Sequence, residues 1–413
     1  MSNKEITTKV CIIGAGLAGL VIANILRKYN IACVVIEKCS QTEIFDRHEV
    51  GLIDNQTIDI LNKYSLGDRL IQKGIVQDKC EFRTLERSFI LDYGHKCRHQ
   101  TNYIYSLQNL TVDLSDKLQH NGGTILFDTQ ATNIVNDSQG AKVECQQKSA
   151  SVTINCDFIA GCDGVRGISR ASIPQTILKL RYKGFDYSWL AVTTEAAPFA
   201  EHIIYGIHPG GFAGYMPNSD TTCYYLQIPK EDTVAEWSNE RIWSELQLRL
   251  TQEDSTITPG KIIDKQVLAI NSFTTQTMQD RRLFLAGNSA HLMTPAGDKG
   301  INLAIQDAAT LGQALVNYYC YQQNLPLKNY SATRLPVVRK MQQFSESLVQ
   351  MINTHDDSTP EGKSIERVQK FKRSQLMNSE IYALDFARKY VGYTPVKPST
   401  NLDRPQSAFA IAS

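Results

Sequence analysis

Residues 10–37 constrain this chain more than any other stretch. Val10–Ile13 is a short apolar run, Gly14-Ala-Gly16-Leu17-Ala18-Gly19 follows at once, and a helical pattern runs from there to about Tyr29. A second apolar run, Val34–Ile36, is closed by Glu37 and Lys38. Strand, glycine turn, helix and strand in that order make a βαβ unit, and a βαβ unit demands a parallel sheet. Gly14 makes the tight turn, Gly16 lets a pyrophosphate approach the helix start, and Gly19 lets helix and strand pack closely. Leu17 and Ala18 lie inside the turn, and Glu37 stands where an acid takes a ribose hydroxyl. The unit predicts an adenine dinucleotide and leaves NAD and FAD both open.

Two later stretches add to it. In 157–170 an apolar strand ends on Asp163-Gly164, with Arg166, Ser169 and Arg170 just beyond. In 283–307 the apolar Leu283–Ala286 ends on Gly287-Asn288, and Pro295-Ala-Gly297-Asp298-Lys-Gly300 forms a glycine loop. A helical pattern begins at Ile301-Asn302 and runs to about Tyr319. Strand, loop and helix start place free backbone N–H groups around one point, a seat for an anionic or electron-rich ring.

With 413 residues the chain is too long for one ordinary core. An apolar share of 42% with 21% charged residues is that of a globular protein, and a net charge of +1 gives no reason to expect nucleic acid or an anionic membrane as partner. No leader precedes the first strand and no apolar run is long enough to span a bilayer, so a cytoplasmic protein is expected. The ten cysteines form no CxxC pair or Cys/His cluster, which argues for reduced thiols and no metal site. Residues 176–267, richer in Tyr, Thr and Ile, read as a mostly antiparallel sheet with one helix at about Ser238–Leu250. Helices are expected at 329–355 and 364–391, and a loose tail from Val396.

Taken together the three stretches resemble the single-component FAD-dependent aromatic hydroxylases, most of all the 4-hydroxybenzoate 3-monooxygenase branch. Gly-Cys-Asp163-Gly, Gly-Ile-Ser-Arg170, Tyr205 with His208-Pro-x-Gly-Phe, Tyr224-Tyr225-x-Gln-x-Pro229 and Tyr390-Val-Gly carry the resemblance across nearly the whole chain. It implies an α/β fold: a Rossmann-like, three-layer FAD-binding domain on a parallel sheet, with an inserted, mostly antiparallel substrate-binding sheet and C-terminal helices. The divisions expected are 1–175 for FAD, with 76–99 lent to the substrate sheet, 176–267 for substrate, 268–345 for FAD again, and 346–413 helical. The implied activity is hydroxylation of a phenolic or amino-aromatic substrate through a flavin C4a-hydroperoxide, with O2 and NADPH or NADH; a homodimer is left open.

The same resemblance assigns residues. Gly14, Gly16, Leu17, Ala18, Gly19, Glu37 and Lys38 would hold the ADP half, Arg47 and Gln108 the pyrophosphate, and Asp163 a second nucleotide contact. Gly287 and Asn288 would reach the ribitol, and Pro295, Gly297, Gly300, Ile301 and Asn302 the isoalloxazine. Tyr205, Tyr390 and Pro295 would be catalytic, with Tyr205, Met216, Asn218, Tyr225, Thr294 and Pro295 around the substrate. Departures are as informative. Asn288 stands in place of an Asp. Met216, Asn218 and Cys223 occupy the loop where the branch places a Ser and two Arg around a carboxylate. Glu49, Gln77 and Asn271 replace basic residues on the nicotinamide side, and Asp298, read as a solvent-facing loop acid, replaces a small residue. Two rivals follow: a flavoprotein reductase or oxidase that does not hydroxylate, or a non-catalytic flavin- or ligand-binding protein.

Overall fold

The structure, a computed structural model, describes residues 3–46, 49–137, 140–218, 221–252, 255–355 and 358–392. At its centre Asn3–Ile13 lies parallel to Ala150–Gly161 on one side and Cys33–Ile36 on the other. Leu283–Leu285 and Thr124–Leu126 extend the parallel set outward. The strands are apolar because both faces are covered: Val10, Cys11 and Ile12 and all of Cys33–Ile36 are buried. One cover is the helix Leu17–Lys28, packed beside Lys299–Tyr321 and Leu107–His120. Leu20, Ile22, Ile25 and Leu26 of that helix are lost from solvent, each contributing about 1.5–3 kcal/mol. A hairpin, Thr129–Asn136 with Ala141–Gln147, adds antiparallel to the early half of Ala150–Gly161; of its two arms only the second, at Val143–Gln147, was expected from the sequence.

The second sheet has eight strands in the order His291–Leu292, Ile262–Thr275, Leu180–Thr194, Thr222–Pro229, Gly211–Met216, Ile203–His208, Lys79–Thr84 and Ser88–Asp92. All neighbours are antiparallel except Ile203–His208 with Lys79–Thr84. Residues 79–92 thus pair with strands far along the chain. The strand Ile262–Thr275 runs straight through residue 267, where a division was expected; its pairing with Leu180–Thr194 holds it in this sheet to its end. Asn239–Leu250, capped by Ser238 Oγ accepting from Arg241 N–H at 3.2 Å, covers one face. The other face buries Trp189, Tyr205, Phe212 and Met216 with Phe344, Leu348, Phe386 and Tyr390 from the late helices.

Those late helices are Tyr330–Ile352, Pro360–Asn378 and Glu380–Tyr390. The expected 364–391 helix is broken at Ser379, which ends one helix and caps the next by accepting from Tyr382 N–H. A three-stranded sheet, Val50–Ile53, Asn102–Ser106 and Ile75–Gln77, also went unforeseen. The strands are short, and only their tertiary pairing defines them. The expected tail lies outside the described residues. Among those described, no helix is long and apolar enough to cross a membrane, and no cluster of His, Cys, Asp or Glu could hold a metal ion.

Candidate active site

A groove of about 670 Å³ runs along the ends of the parallel strands. Its floor is backbone. Gly14 has φ +107°, and a Cβ there would stand 2.4 Å from the Cys162 carbonyl oxygen. A Cβ on Gly19 would meet the Gly14 carbonyl oxygen at 2.0 Å, so Gly19 serves packing and does not itself line the groove. Gly16 is different. Its backbone is ordinary, φ −75° and ψ 178°, and a Cβ there would meet no protein atom within 4 Å. The protein itself does not need a glycine there; a ligand lying against the chain would.

Around this floor stand Leu17, Ala18, Glu37, Lys38, Gln108, Asp163, Gly287, Asn288, Gly300 and Ile301. Glu37 accepts from the Ala15 and Cys39 N–H groups at 2.9 and 3.0 Å, which fixes its carboxylate at the rim. Asp163 accepts from the Ser169 N–H and hydroxyl through Oδ2, both at 2.9 Å, while its Oδ1 is buried with no partner. Burial pushes the Asp163 carboxyl up, against the Ser169 hydrogen bonds that lower it. An orphan buried acceptor, a backbone face at Gly16 that no protein atom crowds and a volume in the range of cofactor sites fit an adenine dinucleotide.

A second pocket, with room for about 30 Å³, abuts the first. Pro295 and Asp298 line both. Its walls are aromatic and apolar: Trp189, Tyr205, Phe212, Met216, Tyr225 and Leu52. Tyr205 Oη lies 2.8 Å from Tyr390 Oη, which is fully buried behind it. Burial raises both hydroxyls well above the ordinary phenol value. Tyr205 comes from Ile203–His208 and Tyr390 from the last described helix, so the pair exists only because that helix closes on the sheet. Its closing is fastened: Lys299 Nζ donates to the Tyr390 carbonyl oxygen at 2.7 Å and Asn102 Nδ2 to the same oxygen at 3.3 Å. Lys299 also pairs with Asp54 at 3.6 Å, and both side chains are buried. Desolvation lowers the Lys299 ammonium, and Asp54 and Asp298 oppose that.

Comparison with known proteins decides the family. The model of the FAD binding domain family matches residues 7–345. The chain is 31% identical over 387 residues to p-hydroxybenzoate hydroxylase of Acinetobacter baylyi, covering 93% of this chain and 95% of that one. The chain belongs to the FAD-dependent aromatic hydroxylases. This hydroxylase is 25% identical over 364 residues to the 3-(3-hydroxy-phenyl)propionate/3-hydroxycinnamic acid hydroxylase of Paraburkholderia xenovorans, spanning 55% of that protein's length. Its fold matches crystalline p-nitrophenol 4-monooxygenase of Pseudomonas putida with a TM-score of 0.80, at 16% identity and over 95% of this chain and 100% of the other. The protein is therefore a flavoprotein monooxygenase that uses FAD.

Not every expected residue of the hydroxylase reaches the two cavities. Arg47 lies outside the described residues. Asn302 does not line the groove: its side chain is buried, accepting from the Asp54 N–H at 2.8 Å and donating to the Leu52 and Asp298 carbonyls. Asn218 is off the pocket as well; it sits beyond the end of Gly211–Met216 and donates to Thr221 Oγ1 at 3.0 Å. Cys223 turns to Thr193 Oγ1 at 4.0 Å. Thr294 lines the larger groove, with Ser345 Oγ 2.5 Å from its hydroxyl, and Gly297 lines only the smaller pocket. Arg181 is half exposed and faces Glu346. Asp298 is the plainest correction: it is no solvent-facing acid but a wall of both cavities, its Oδ2 accepting from Leu52 N–H at 3.0 Å. No role was expected for Lys299, although it lies in the Pro295–Gly300 loop, nor for Asp54 and Asn102, which lie in no motif. Behind the groove, Asp307 accepts from Gly287 N–H at 3.1 Å and is held by His291 and Arg334, each at 2.6 Å.

Proposed function

We propose that this hydroxylase inserts one oxygen atom of O2 ortho to the hydroxyl or amino group of a small aromatic substrate, with NADPH or NADH as reductant. The pairing of Tyr205 with Tyr390 at 2.8 Å in the wall of the pocket carries the reading. FAD, when bound in the groove, supplies the oxygen activation. Gly14, Gly16 and Asp163 would hold its nucleotide half. The uncapped start of the helix Lys299–Tyr321, with Gly300 and Ile301 on the groove, offers N–H groups to negative charge on the ring.

A phenol attacks an electrophilic oxygen fastest as phenolate, because the oxygen lone pair pushes charge to the ortho carbon. Tyr205 accepts the hydrogen bond of the substrate hydroxyl and donates its own to Tyr390. As the phenol proton passes to Tyr205, the Tyr205 proton passes to Tyr390 and Tyr390 gives one up toward solvent, so neither buried hydroxyl, both of which resist ionisation, rests as an anion. Assistance of this kind is worth about 10²–10⁴-fold. The walls carry no arginine or lysine, and an unpaired ring carboxylate in a dry pocket costs several kcal/mol. A phenol or aniline with a neutral substituent therefore suits this pocket better than p-hydroxybenzoate does.

The test is NAD(P)H consumption against a panel of phenols and anilines, with product mass. A coupled gain of one oxygen atom is expected. Reductant consumed with no oxygenated product would make the protein a reductase or oxidase, and no response to any aromatic would leave a binding protein.

A further inference from the structure

Asp298 occupies the N-cap position of the helix Lys299–Tyr321 and does not cap it. Its backbone is left-handed, φ 51° and ψ 36°, a strained state for any residue but glycine. Aspartate is favoured at this position because its carboxylate accepts from the first helical N–H groups. Here the carboxylate turns away and accepts from Leu52 N–H through Oδ2 alone. Among the described residues nothing donates to Oδ1. The neighbouring cation is spent elsewhere, since Lys299 Nζ is directed to Asp54 and the Tyr390 carbonyl. Of the side chains lining the smaller pocket, only Asp298 carries a charge at neutral pH. A strained backbone and a forgone cap thus hold one carboxylate oxygen in the wall shared by flavin groove and aromatic pocket.

We propose that Asp298 sets the substrate class of this site by accepting a hydrogen bond from an N–H donor on the aromatic ring, so that the hydroxylase takes aromatic amines of the aminophenol type and rejects ring carboxylates. The inference rests on the reading that the smaller pocket receives the aromatic substrate. An amino group donates to the free oxygen in a charge-assisted bond, which is stronger than a neutral one. A carboxylate in the same place meets a like charge across a wall with no cation to offset it. The arginine fork expected of a carboxylate-binding relative is thereby replaced with its electrostatic opposite.

The test titrates the FAD-loaded enzyme at pH 8 with the three aminophenol isomers and the three matching hydroxybenzoates, following the perturbation of flavin absorbance. At least one aminophenol is expected to bind about 10- to 100-fold tighter than its hydroxybenzoate counterpart, the range of a hydrogen bond to a charged group. Asp298→Ala should bring that ratio close to one. Asp298→Asn keeps an acceptor for Leu52 N–H and should fall between, which guards against a variant that misfolds. Hydroxybenzoates that bind as well as aminophenols, or a ratio unmoved in Asp298→Ala, would overturn the proposal while leaving the hydroxylase reading intact. If no phenol of either kind perturbs the flavin, the reading of the pocket fails and the proposal falls with it.

Discussion

The flavin groove and the aromatic pocket share Pro295 and Asp298, yet they are built by opposite means. The groove is backbone: glycine turns, strand ends and helix starts that leave about 670 Å³ open with few side chains intruding. The pocket is side chains: aromatic walls gathered from Leu52, Trp189, Tyr205, Met216 and Tyr225, closed down to about 30 Å³. A backbone site is specified by spacing within a short stretch and tolerates change around it. A side-chain site is specified by what each strand happens to present, so single replacements re-aim it. On the proposed reading the groove holds the FAD and the pocket selects the substrate.

That contrast can be broken most severely at Tyr205. Tyr205→Phe removes a pocket group without touching the groove, so FAD affinity should be unchanged while hydroxylation falls about 10²–10⁴-fold. More hydrogen peroxide per NAD(P)H should accompany it. Unaltered turnover and coupling would show that the tyrosine pair is idle.

At the shared wall, the groove and pocket trade stability for chemistry. Burial lifts the Asp298 carboxyl from its ordinary 3.8 to about 6, a displacement worth about 3 kcal/mol. The folded carboxyl holds its proton more tightly than the unfolded one, so the penalty is full above about pH 6 and absent below 3.8. Asp298→Asn should raise the melting temperature at pH 8, and its advantage should fade as pH falls through that window. Equal gains at pH 8 and pH 4 would disprove the electrostatic account.

Within the groove the glycines divide. Gly16→Val should weaken FAD by about 10- to 100-fold, since crowding of one methylene or more costs about 1–3 kcal/mol. The apoprotein should melt as before, because a Cβ there would meet no protein atom within 4 Å. Gly19→Val, whose Cβ would press the Gly14 carbonyl at 2.0 Å, should instead lose the fold itself. Binding isotherms and apoprotein melts separate the two, and matching losses in both variants would erase the distinction.

The smallest effect is expected at the rim, where exposed Glu49 lines the groove in place of a basic residue. Glu49→Arg should lower KM for NADPH by up to about fivefold, an effect that salt suppresses. An unchanged KM would place the reductant's docking site elsewhere.

The groove was legible because strand, glycine turn, helix and acid lie within 28 residues of local sequence. Tyr205 and Tyr390 were legible only through family resemblance; nothing in their own neighbourhoods separates them from the other tyrosines. Asn218 misled because alternation stops at the end of Gly211–Met216, two residues earlier. Asp298 misled for the opposite reason. A glycine-flanked acid in a loop reads as exposed, and its inward turn depends on Leu52, which is 246 residues away. Lys299 was seen as part of the glycine loop, but its pairing with Asp54 could not be read, because a buried ion pair between distant elements leaves no pattern in either.

The fastening of Tyr390 to Lys299 and Asn102 also sets a clock on synthesis. Ribosomes extend a chain at about 5–20 residues per second, so Gly16 leaves the peptidyl-transferase centre roughly 20 to 75 seconds before Tyr390 is added. In that interval a nascent chain can present its glycine turn, but Tyr205 has no partner and the Tyr390 seat stands vacant. A chain that stops short of residue 390 would keep every residue lining the groove and lack the hydroxyl that pairs with Tyr205.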